Sequence, residues 1–359
     1  MSAATAQVSR SPVAGAEHRE RDRGVLADFR SRIDSALDAT IPRGQPVALL
    51  HFPYDLNVGN HMMWVATTDY LAERGIRVAF AAHANNSDLT ALRRAVGGGA
   101  ILFLGGVTLS RLWARHAEIK RRVASAFPEN PLVSLPATCL FADDDDRREA
   151  ASVFGAHSRV TVMLRDPVSL AEARTAFPAS VRTLEVPDLA LRLAPSVRAQ
   201  PAEIDISWLA REDPEASGLA RPGDLDAFDW PQDLRTAPDV YLALRASGFF
   251  SRLRSSSASG AFPRGVLDRP IVALYRRASV GSLRFGNRVL DRSRVLVTDR
   301  MHPHMLAALR GQPVVLLPDR FGKNRAVFEA GTSRLSSVHW ADDPAQALET
   351  ARALAVLSR

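Results

Sequence analysis

Basic residues and a histidine follow two apolar runs near the C-terminal end of the sequence. Asp299, Arg300 and His302 come directly after VLVT, and Lys323 and Asn324 follow VVLLP. Arginine and lysine bind carboxylate and phosphate groups, and histidine transfers protons near neutral pH. Because the carboxyl ends of neighbouring parallel strands lie at one edge of a sheet, we expect Arg300, His302 and Lys323 to converge. The pattern predicts an anion-binding site with an acid–base group.

Three strand ends in the first half of the sequence carry further candidates. Asn57 and Gly59 precede a predicted helix, whose first N–H groups suit an anion, although Asn57 is also a common helix cap. Gly105 and Gly106 follow another apolar run, where glycine permits close approach of a ligand to the backbone. The guanidinium of Arg165 either binds a carboxylate or phosphate group or pairs with the next residue, an aspartate.

Other basic residues of the 297–331 segment have simpler interpretations. His304 and Arg310 lie farther along the predicted helix and are expected to be structural or solvated. Arg320 and Arg325 fit a solvated basic rim.

Strands and helices must alternate to position these side chains. Short apolar runs bounded by turn residues predict the strands, and amphipathic stretches between them predict the helices. The predicted strands are 46–52, 76–82, 100–106, 131–136, 160–166, 181–186, 294–299 and 313–318. The predicted helices are 61–75, 107–127, 167–177, 270–292, 302–311, 324–331 and 343–358. This order is typical of α/β proteins with parallel sheets, and it predicts two Rossmann-like lobes with a cleft between them.

The domain boundaries follow from changes in composition. Residues 1–24 lack an extended apolar segment and are expected to form a disordered tail. An N-terminal lobe is assigned to 25–200 and a C-terminal lobe to 201–359. Surface loops are expected within 195–265, where Pro, Asp, Ser and Gly are frequent, and an acidic loop is expected at 143–146.

Composition limits the classes of partner. The 359 residues include 46 Lys and Arg against 39 Asp and Glu, a net charge of +7 that favours anionic partners. A GC-rich bacterial genome also enriches Arg, Ala and Pro. The basic residues are dispersed and lack an aromatic platform, which argues against nucleic-acid binding.

The cysteine content limits the kinds of site that the sequence can form, and the lengths of the apolar runs bear on the cellular location of the protein. The single cysteine, Cys139, excludes an internal disulfide and suits a small core residue in a reducing compartment. The residues show no metal-ligand spacing, so neither a metal nor another cofactor is expected. The N-terminus lacks the apolar segment of a signal peptide, and no apolar run is long enough to span a membrane. These features predict a cytoplasmic protein.

The segment VTDRMHPHMLAALRGQPVVLLPDRFGKNRAVFEAG resembles the C-terminal signature of the polysaccharide pyruvyl transferases. That signature is an apolar strand, T-D-R-L-H, an apolar helix, a G-x-P-V-V strand and a Y/F-G-K-N turn. The blocks DLNVGNHMMW, ILFLGGVTLSRLW and FPENPLVSLPATCLF are similar to upstream family segments. RDPVS with VPDLALRL matches the R-D-x-x-S and P-D-x-A segment. The resemblance extends from about residue 46 to residue 331.

The resemblance implies a GT-B-like fold and transfer of the pyruvyl group of phosphoenolpyruvate onto two hydroxyls of a sugar. The acceptor would be an exopolysaccharide or its lipid-linked precursor, held by the N-terminal lobe, and the C-terminal lobe would bind the donor. Such an acceptor allows peripheral association with the inner face of a membrane. Arg165, Arg300 and Lys323 would clamp the two anionic groups of the donor. His302 would be the acid–base group, with Asp299 orienting it or acting beside it.

The sequence departs from the family pattern in the N-terminal lobe. Asn60 replaces an Asp, Val107 and Thr108 replace Gly and Asn, Ser110-Arg111 replaces Gly-Asp, and Ala137 replaces Gln. These changes leave open a non-catalytic relative that binds a glycan or phosphate. A GT-B-type glycosyltransferase that uses a nucleotide-sugar donor is a second alternative, because the same cations would bind a diphosphate.

Overall fold

Six parallel strands form the sheet of the first lobe in this computed structural model. The structure describes residues 12–85, 88–106, 109, 111–213, 215–219, 225, 227–230, 234–256 and 265–358. The strands are β1 (Val47–Leu50), β2 (Val78–Ala82), β3 (Ile101–Phe103), β4 (Leu132–Ala137), β5 (Val160–Leu164) and β6 (Arg182–Glu185). Their order is β2-β1-β3-β4-β5-β6. All residues of β1, β3, β4 and β5 are buried, because helices cover both faces, and this explains their continuous apolar runs.

The second lobe has a five-stranded parallel sheet of the same kind. Its strands are β7 (Ile204–Leu209), β8 (Ala227–Phe228), β9 (Ser293–Thr298), β10 (Val314–Leu316) and β11 (Val338–Trp340), in the order β11-β10-β9-β7-β8. The prediction of two parallel α/β lobes is confirmed. In each sheet the strand order reverses at one point, between β1 and β3 and between β7 and β9. Ligands of doubly wound sheets bind beyond the carboxyl ends of the strands at such a point.

Eleven α-helices are found among the described residues. They are α1 (Pro12–Asp38), α2 (Val58–Glu73), α3 (Leu89–Val96), α4 (Ala114–Ala126), α5 (Asp144–Gly155), α6 (Pro167–Ala176), α7 (Pro238–Ser256), α8 (Asp268–Asp291), α9 (Met301–Leu309), α10 (Lys323–Ala330) and α11 (Pro344–Leu357). Short 3-10 helices include Arg111–Trp113 and Leu189–Arg192.

A single apolar core joins the two lobes. It contains Leu49 of β1 and Leu296 of β9, and α8 packs between them against α2 and β2. The ring of Tyr275 on α8 stacks on Phe52 with centroids 3.7 Å apart. Because this core is continuous, the two lobes are packed together on one side. A cleft separates them only where the carboxyl ends of their strands face each other.

The predicted disordered tail is wrong for residues 12–24, which form the first half of α1. Residues 1–11 lie outside the described part of the chain. The second half of α1 buries Phe29 and Ile33, and helix formation propagates from this packed region toward the N-terminus. Asp22 fixes the helix to the second lobe, since its carboxylate accepts from the Ser336 N–H at 2.8 Å and from Ser336 Oγ at 2.7 Å.

The expectation of loops within 195–265 is also wrong in part. The region contains β7, the short strand β8 and the 19-residue helix α7. The acidic segment 143–146 is not a loop either, because Asp143 caps α5 and three aspartates form its first turn, where negative charge stabilises a helix. The helix predicted over 107–127 begins later, as a 3-10 turn at Arg111, and Val107, Thr108 and Ser110 lie outside the described residues.

Candidate active site

A cavity of about 450 Å³ lies where the carboxyl ends of the two sheets face each other. The first lobe lines it with residues that follow β1 and β3, and the second lobe with residues that follow β7 and β9. The points at which the strand order reverses in the two sheets therefore border the same cavity.

Arg165 and His302, two of the predicted site residues, share one carboxylate oxygen. Arg165 Nη1 donates to Asp188 Oδ2 at 2.9 Å, and His302 Nε2 on the first turn of α9 lies 3.5 Å from the same oxygen. Nε and Nη2 of Arg165 donate to Thr138 Oγ1 at 2.9 and 2.6 Å. Asp188 thus links a cation of the first lobe to an imidazole of the second.

Asp188 is held in place by local structure. Its side chain is fully buried, and Oδ1 accepts from the Ala190 N–H at 2.9 Å at the start of the 3-10 helix. Burial by itself would raise the pKa of this carboxyl. The charges of His302 and Arg165 and the hydrogen bond from the Ala190 N–H outweigh burial and lower the pKa well below its ordinary value. Asp188 is therefore a fixed negative charge.

A glycine makes room for the imidazole of His302. A Cβ atom added at Gly59, in the first turn of α2, would lie 2.4 Å from Cβ, Cγ and Nδ1 of His302. A contact below 3.0 Å forces a shift, so the ring can pack against α2 only because residue 59 has no side chain. The sequence predicted Gly59 as a ligand for substrate, and the structure places it against His302 instead.

Arg300 also borders the cavity, but carboxylates engage its guanidinium. Nε and Nη2 donate to the two oxygens of Asp229 at 2.5 and 2.6 Å, and Nη2 donates to Asp213 Oδ2 at 3.1 Å. Asp229 therefore makes a bidentate pair with Arg300, a residue that was predicted to bind the anionic groups of a substrate.

The neighbouring cations are paired in the same way. Arg211, which follows β7, donates to Asp213 at 2.9 Å and contacts Glu215 Oε2 at 2.8 Å. Lys323 Nζ donates to Glu215 and lies 3.8 Å from Asp319 Oδ2. Burial lowers the pKa of Lys323, although the charge of Glu215 opposes this shift. The convergence of Lys323 with Arg300 and His302 at one cavity agrees with their predicted strand-end positions.

Asp299 and Asn324 organise the backbone around this cluster. Asp299 Oδ1 accepts from the Arg211 N–H at 2.8 Å, and burial raises the pKa of the carboxyl. Asp188, not Asp299, is the carboxylate beside His302, which corrects the expectation that Asp299 orients the ring. Asn324 is fully buried, and its Nδ2 donates to the main-chain carbonyls of Asp299 at 2.7 Å and Leu317 at 2.9 Å. It joins the ends of β9 and β10 and was predicted as a substrate ligand.

The remaining predicted residues line the cavity or its support. Asn57 caps α2, since its Oδ1 accepts from the Gly59 N–H at 3.2 Å, and it also lines the cavity. Gly105 and Gly106 line it as well. A Cβ at Gly105 would lie 1.9 Å from the carbonyl oxygen of Pro136, so this glycine allows close approach of β4, while Gly106 has a φ of 109°.

The basic residues assigned to structural positions are found there. His304 is fully buried, its Nε2 lies 3.2 Å from Thr332 Oγ1, and burial lowers its pKa to about 3. Arg310 pairs with Asp291. Arg325 is exposed and pairs with Glu329 at 2.5 Å.

Part of the cavity wall of the first lobe is formed by aromatic rings and imidazoles, beside the charged residues Asp55, Arg115 and Arg165. His51, His83 and His116 line it together with Tyr54 and Trp113, whose side chains are partly exposed. Burial and a nearby cation lower the pKa of His83 and of His116 to about 4, so both rings are neutral at pH 7. Neutral imidazoles donate and accept hydrogen bonds, and aromatic rings pack on apolar faces. These aromatic and imidazole side chains suit a polar ligand that also has an apolar face.

His51 is the most unusual residue of that wall. Its φ is 67°, a left-handed conformation that is rare for residues other than glycine and is found at functional sites. The side chain is 3% exposed, and neither ring nitrogen has a hydrogen-bond partner among the described residues. The ring contacts His116 edge to face at 4.6 Å.

Sequence reasoning missed four residues of this site, and each had a signal. Asp188 lies in the VPDLALRL block that carried the family resemblance. Arg211 and Glu215 follow the apolar run ISWLA, a strand end of the type used to find the other candidates. His51 follows β1 directly. Asn60, one of the departures from the family pattern, also lines the cavity.

Neither a metal-binding cluster nor a membrane-spanning helix is found in the described part of the chain. No group of three or more His, Cys, Asp or Glu side chains has an arrangement that could hold a metal ion. None of the helices found there is both long and apolar enough to cross a membrane.

Comparisons with known proteins agree with the resemblance. The sequence model of the family described as polysaccharide pyruvyl transferase matches residues 57–319. The putative pyruvyl transferase EpsO of Bacillus subtilis is 23% identical over 304 residues, which cover 84% of this chain and 90% of that protein. Pyruvyl transferase 1 of Schizosaccharomyces pombe is 26% identical over 290 residues, covering 77% of this chain and 67% of that protein.

A crystal structure of a functionally uncharacterised Klebsiella pneumoniae protein has a similar fold. Its TM-score is 0.57 at 16% identity, and the match covers 88% of this chain and 98% of that one. At this identity the likeness supports the fold alone.

Replacing Asp188 by Asn removes the negative charge that Arg165 and His302 share. We expect the free energy of unfolding to fall by about 3–5 kcal/mol, because Arg165 is left buried without its counter-charge. The pKa of Asp188 is lower in the folded than in the unfolded protein. Its stabilising contribution is therefore present above the unfolded pKa, near 3.8, and is lost as the pH falls through the lower folded pKa. Urea unfolding measures the free energy of unfolding of the unmodified protein and of the Asp188→Asn variant. The difference between the two values should be smaller at strongly acidic pH than at neutral pH.

The matched control is Asp145→Asn, which breaks an exposed pair with Arg148 whose side chains are 74% and 71% exposed. It should change stability by less than about 1 kcal/mol. Equal effects of the two substitutions would show that Asp188 is not the counter-charge described.

Proposed function

Because this chain belongs to the polysaccharide pyruvyl transferase family and is therefore a pyruvyl transferase, we propose that its donor is phosphoenolpyruvate. We further propose that the acceptor is a sugar of a polysaccharide or of its lipid-linked precursor, and that a cyclic ketal and phosphate are the products. The observation that carries the proposal is the meeting of Arg165, His302 and Lys323, from both lobes, at one cavity.

The charges of the cavity suit this donor. Phosphoenolpyruvate carries a carboxylate and a phosphate, and each needs a cationic partner in a partly dehydrated site. Arg165, Lys323 and the Arg211–Arg300 pair supply cations on either side of His302. Carboxylates now pair with these cations: Asp188 with Arg165, Asp229 and Asp213 with Arg300, and Glu215 with Arg211 and Lys323. Donor binding is therefore proposed to exchange carboxylates of the second lobe for the anionic groups of the ligand.

His302 is proposed to protonate the methylene carbon of the donor. The electron pair of the double bond forms the new C–H bond, and a sugar hydroxyl attacks the resulting cationic carbon. The C–O bond to phosphate then breaks, and a second hydroxyl of the same sugar closes the ketal. Two hydroxyl protons are released, of which one restores His302 and one leaves with phosphate. Asp188 stabilises the positive charge of the imidazole throughout.

The wall of the first lobe is proposed to bind the acceptor. Tyr54 and Trp113 offer partly exposed rings for the apolar face of a sugar, and His51 and His116 offer neutral nitrogen atoms for its hydroxyls. His51 is proposed to hydrogen-bond an acceptor hydroxyl, since neither of its ring nitrogens has a partner among the described residues.

The test of the function is incubation of the full chain with phosphoenolpyruvate and candidate glycans, followed by phosphate release and acceptor mass. A gain of one pyruvyl ketal per acceptor with equimolar phosphate is expected. Transfer of a sugar from a nucleotide-sugar donor, with no phosphate release from phosphoenolpyruvate, would support a glycosyltransferase. The family match disfavours that function. Ligand binding without either product would support a non-catalytic relative.

His302→Asn should lower kcat by about 10²–10⁴-fold, because the proton donor is lost while the shape of the side chain is nearly kept. Steady-state phosphate release with a competent acceptor measures the effect, and circular dichroism checks the fold. The control is His18→Asn on α1, outside the cavity lining. A rate near that of the unmodified protein would remove His302 from the mechanism.

Gly59→Ala tests whether α2 positions the imidazole. The added Cβ would overlap the ring of His302 at 2.4 Å, so the ring must move, and displacement of about 1 Å can cost about 100-fold in rate. We expect kcat to fall and KM for phosphoenolpyruvate to change little, since the donor's cations are untouched.

The matched control for this substitution is Gly24→Ala in α1, where nothing lies within 4 Å of the added Cβ. It should keep full activity. Full activity of both variants would mean that the position of His302 against α2 is unimportant for turnover.

A further inference from the structure

The positive charge of the chain is concentrated in the sequence segment that contains α7, α8 and the residues between them. Residues 238–291, which include α7 and α8, contain nine Arg and three Asp, a net charge of +6 out of +7 for the whole chain. Seven of these arginines are exposed, and we call them the basic helix face. They are Arg245, Arg252, Arg269, Arg276, Arg277, Arg284 and Arg288.

Helical spacing aligns these residues. On α7, Leu242, Arg245, Phe249 and Arg252 recur at intervals of three and four, which places them on one side of the helix. The arginines of α8 fall within one broad stripe by the same rule. α7 and α8 pack against each other, so their exposed sides adjoin.

Acidic residues neutralise little of this charge. Asp268 and Asp291 are buried, and they pair with Arg254 at 3.3 Å and with Arg310. Asp239, in the first turn of α7, is exposed. From outside the pair, Asp69 of α2 contacts Arg276 at 2.9 Å.

Large apolar side chains are exposed beside these arginines. Leu242 is 66% exposed, and Phe249 and Val266 are each 53% exposed. Exposed apolar side chains among arginines suit a surface that combines negative charge with accessible hydrocarbon. A polyanion such as nucleic acid or an acidic glycan offers the charge without the hydrocarbon.

The basic helix face adjoins the proposed acceptor wall. Tyr54, which lines the cavity, donates from its hydroxyl to the Leu244 carbonyl of α7 at 2.8 Å. A Cβ at Gly248 would lie 3.0 Å from the same hydroxyl, so α7 lies directly against Tyr54. A surface bound by α7 therefore lies next to the side of the cavity where a sugar would enter.

We propose that the basic helix face docks the protein on an anionic lipid bilayer. The arginines contact phosphate headgroups, and Leu242, Phe249 and Val266 enter the interfacial region. A sugar attached to a membrane lipid would then meet the acceptor wall without leaving the bilayer surface. Docking itself needs no turnover, and only its benefit to the reaction rests on the proposed function.

The test is sedimentation of the full chain with vesicles of phosphatidylcholine, with or without phosphatidylglycerol. Binding is expected only to the anionic vesicles and should weaken as salt rises. Replacing Arg269, Arg277 and Arg284 by Gln should weaken it by about 100-fold, since each arginine near an anionic surface contributes roughly fivefold.

The matched control replaces Arg121, Arg148 and Arg325 by Gln, which lowers the net charge equally but elsewhere on the surface. It should bind almost as well as the unmodified chain. Equal losses in the two triple variants would show that net charge alone matters and would overturn the assignment of the site.

A second pair of substitutions, Leu242→Ser with Phe249→Ser, separates a membrane from a polyanion. Vesicle binding should fall about tenfold or more, while retention on heparin stays unchanged. Unchanged vesicle binding would overturn insertion in favour of a polyanion partner. Because a soluble glycan acceptor does not need the bilayer, turnover of that acceptor by all these variants reports separately on the proposed function.

Discussion

The shared carboxylate of Asp188 is the interaction on which the site depends. It lies between the guanidinium of Arg165 and the imidazole of His302, so its position sets the distance between the proposed donor-binding group and the proposed proton donor. Burial would make an isolated charge here costly, and two cationic partners together with a main-chain N–H compensate for that cost.

The rest of the fold holds Arg165, Asp188 and His302 in this arrangement. The continuous core through α8 fixes the lobes to each other, and Gly59 lets α2 contact His302 closely enough to limit the motion of the ring. Asn324 and Asp299 join the strand ends that carry His302 and Lys323. The two lobes are therefore packed together on one side. The GT-B-like cleft between them is open only on the side of the cavity.

The sequence predicted what depends on local pattern. Strand ends in a parallel sheet share an edge, so the convergence of His302 and Lys323 followed from their positions alone. The partner of His302 did not follow, because the contact with Asp188 joins residues 114 positions apart across two sheets. Helix α7 was missed because its apolar residues are interrupted by arginines and serines, and α1 because its first half has few large apolar residues and a run of charged ones at 17–23. In both, tertiary packing of one face outweighs weak periodicity.

The carboxylates that pair with the cations of the second lobe make the cavity selective among anions. Arg211, Arg300 and Lys323 are paired with Asp213, Glu215 and Asp229, and these pairs are partly buried. A ligand that binds these cations must take the place of their carboxylates. A ligand with two anionic groups can replace two carboxylates at once, whereas a single inorganic anion replaces one.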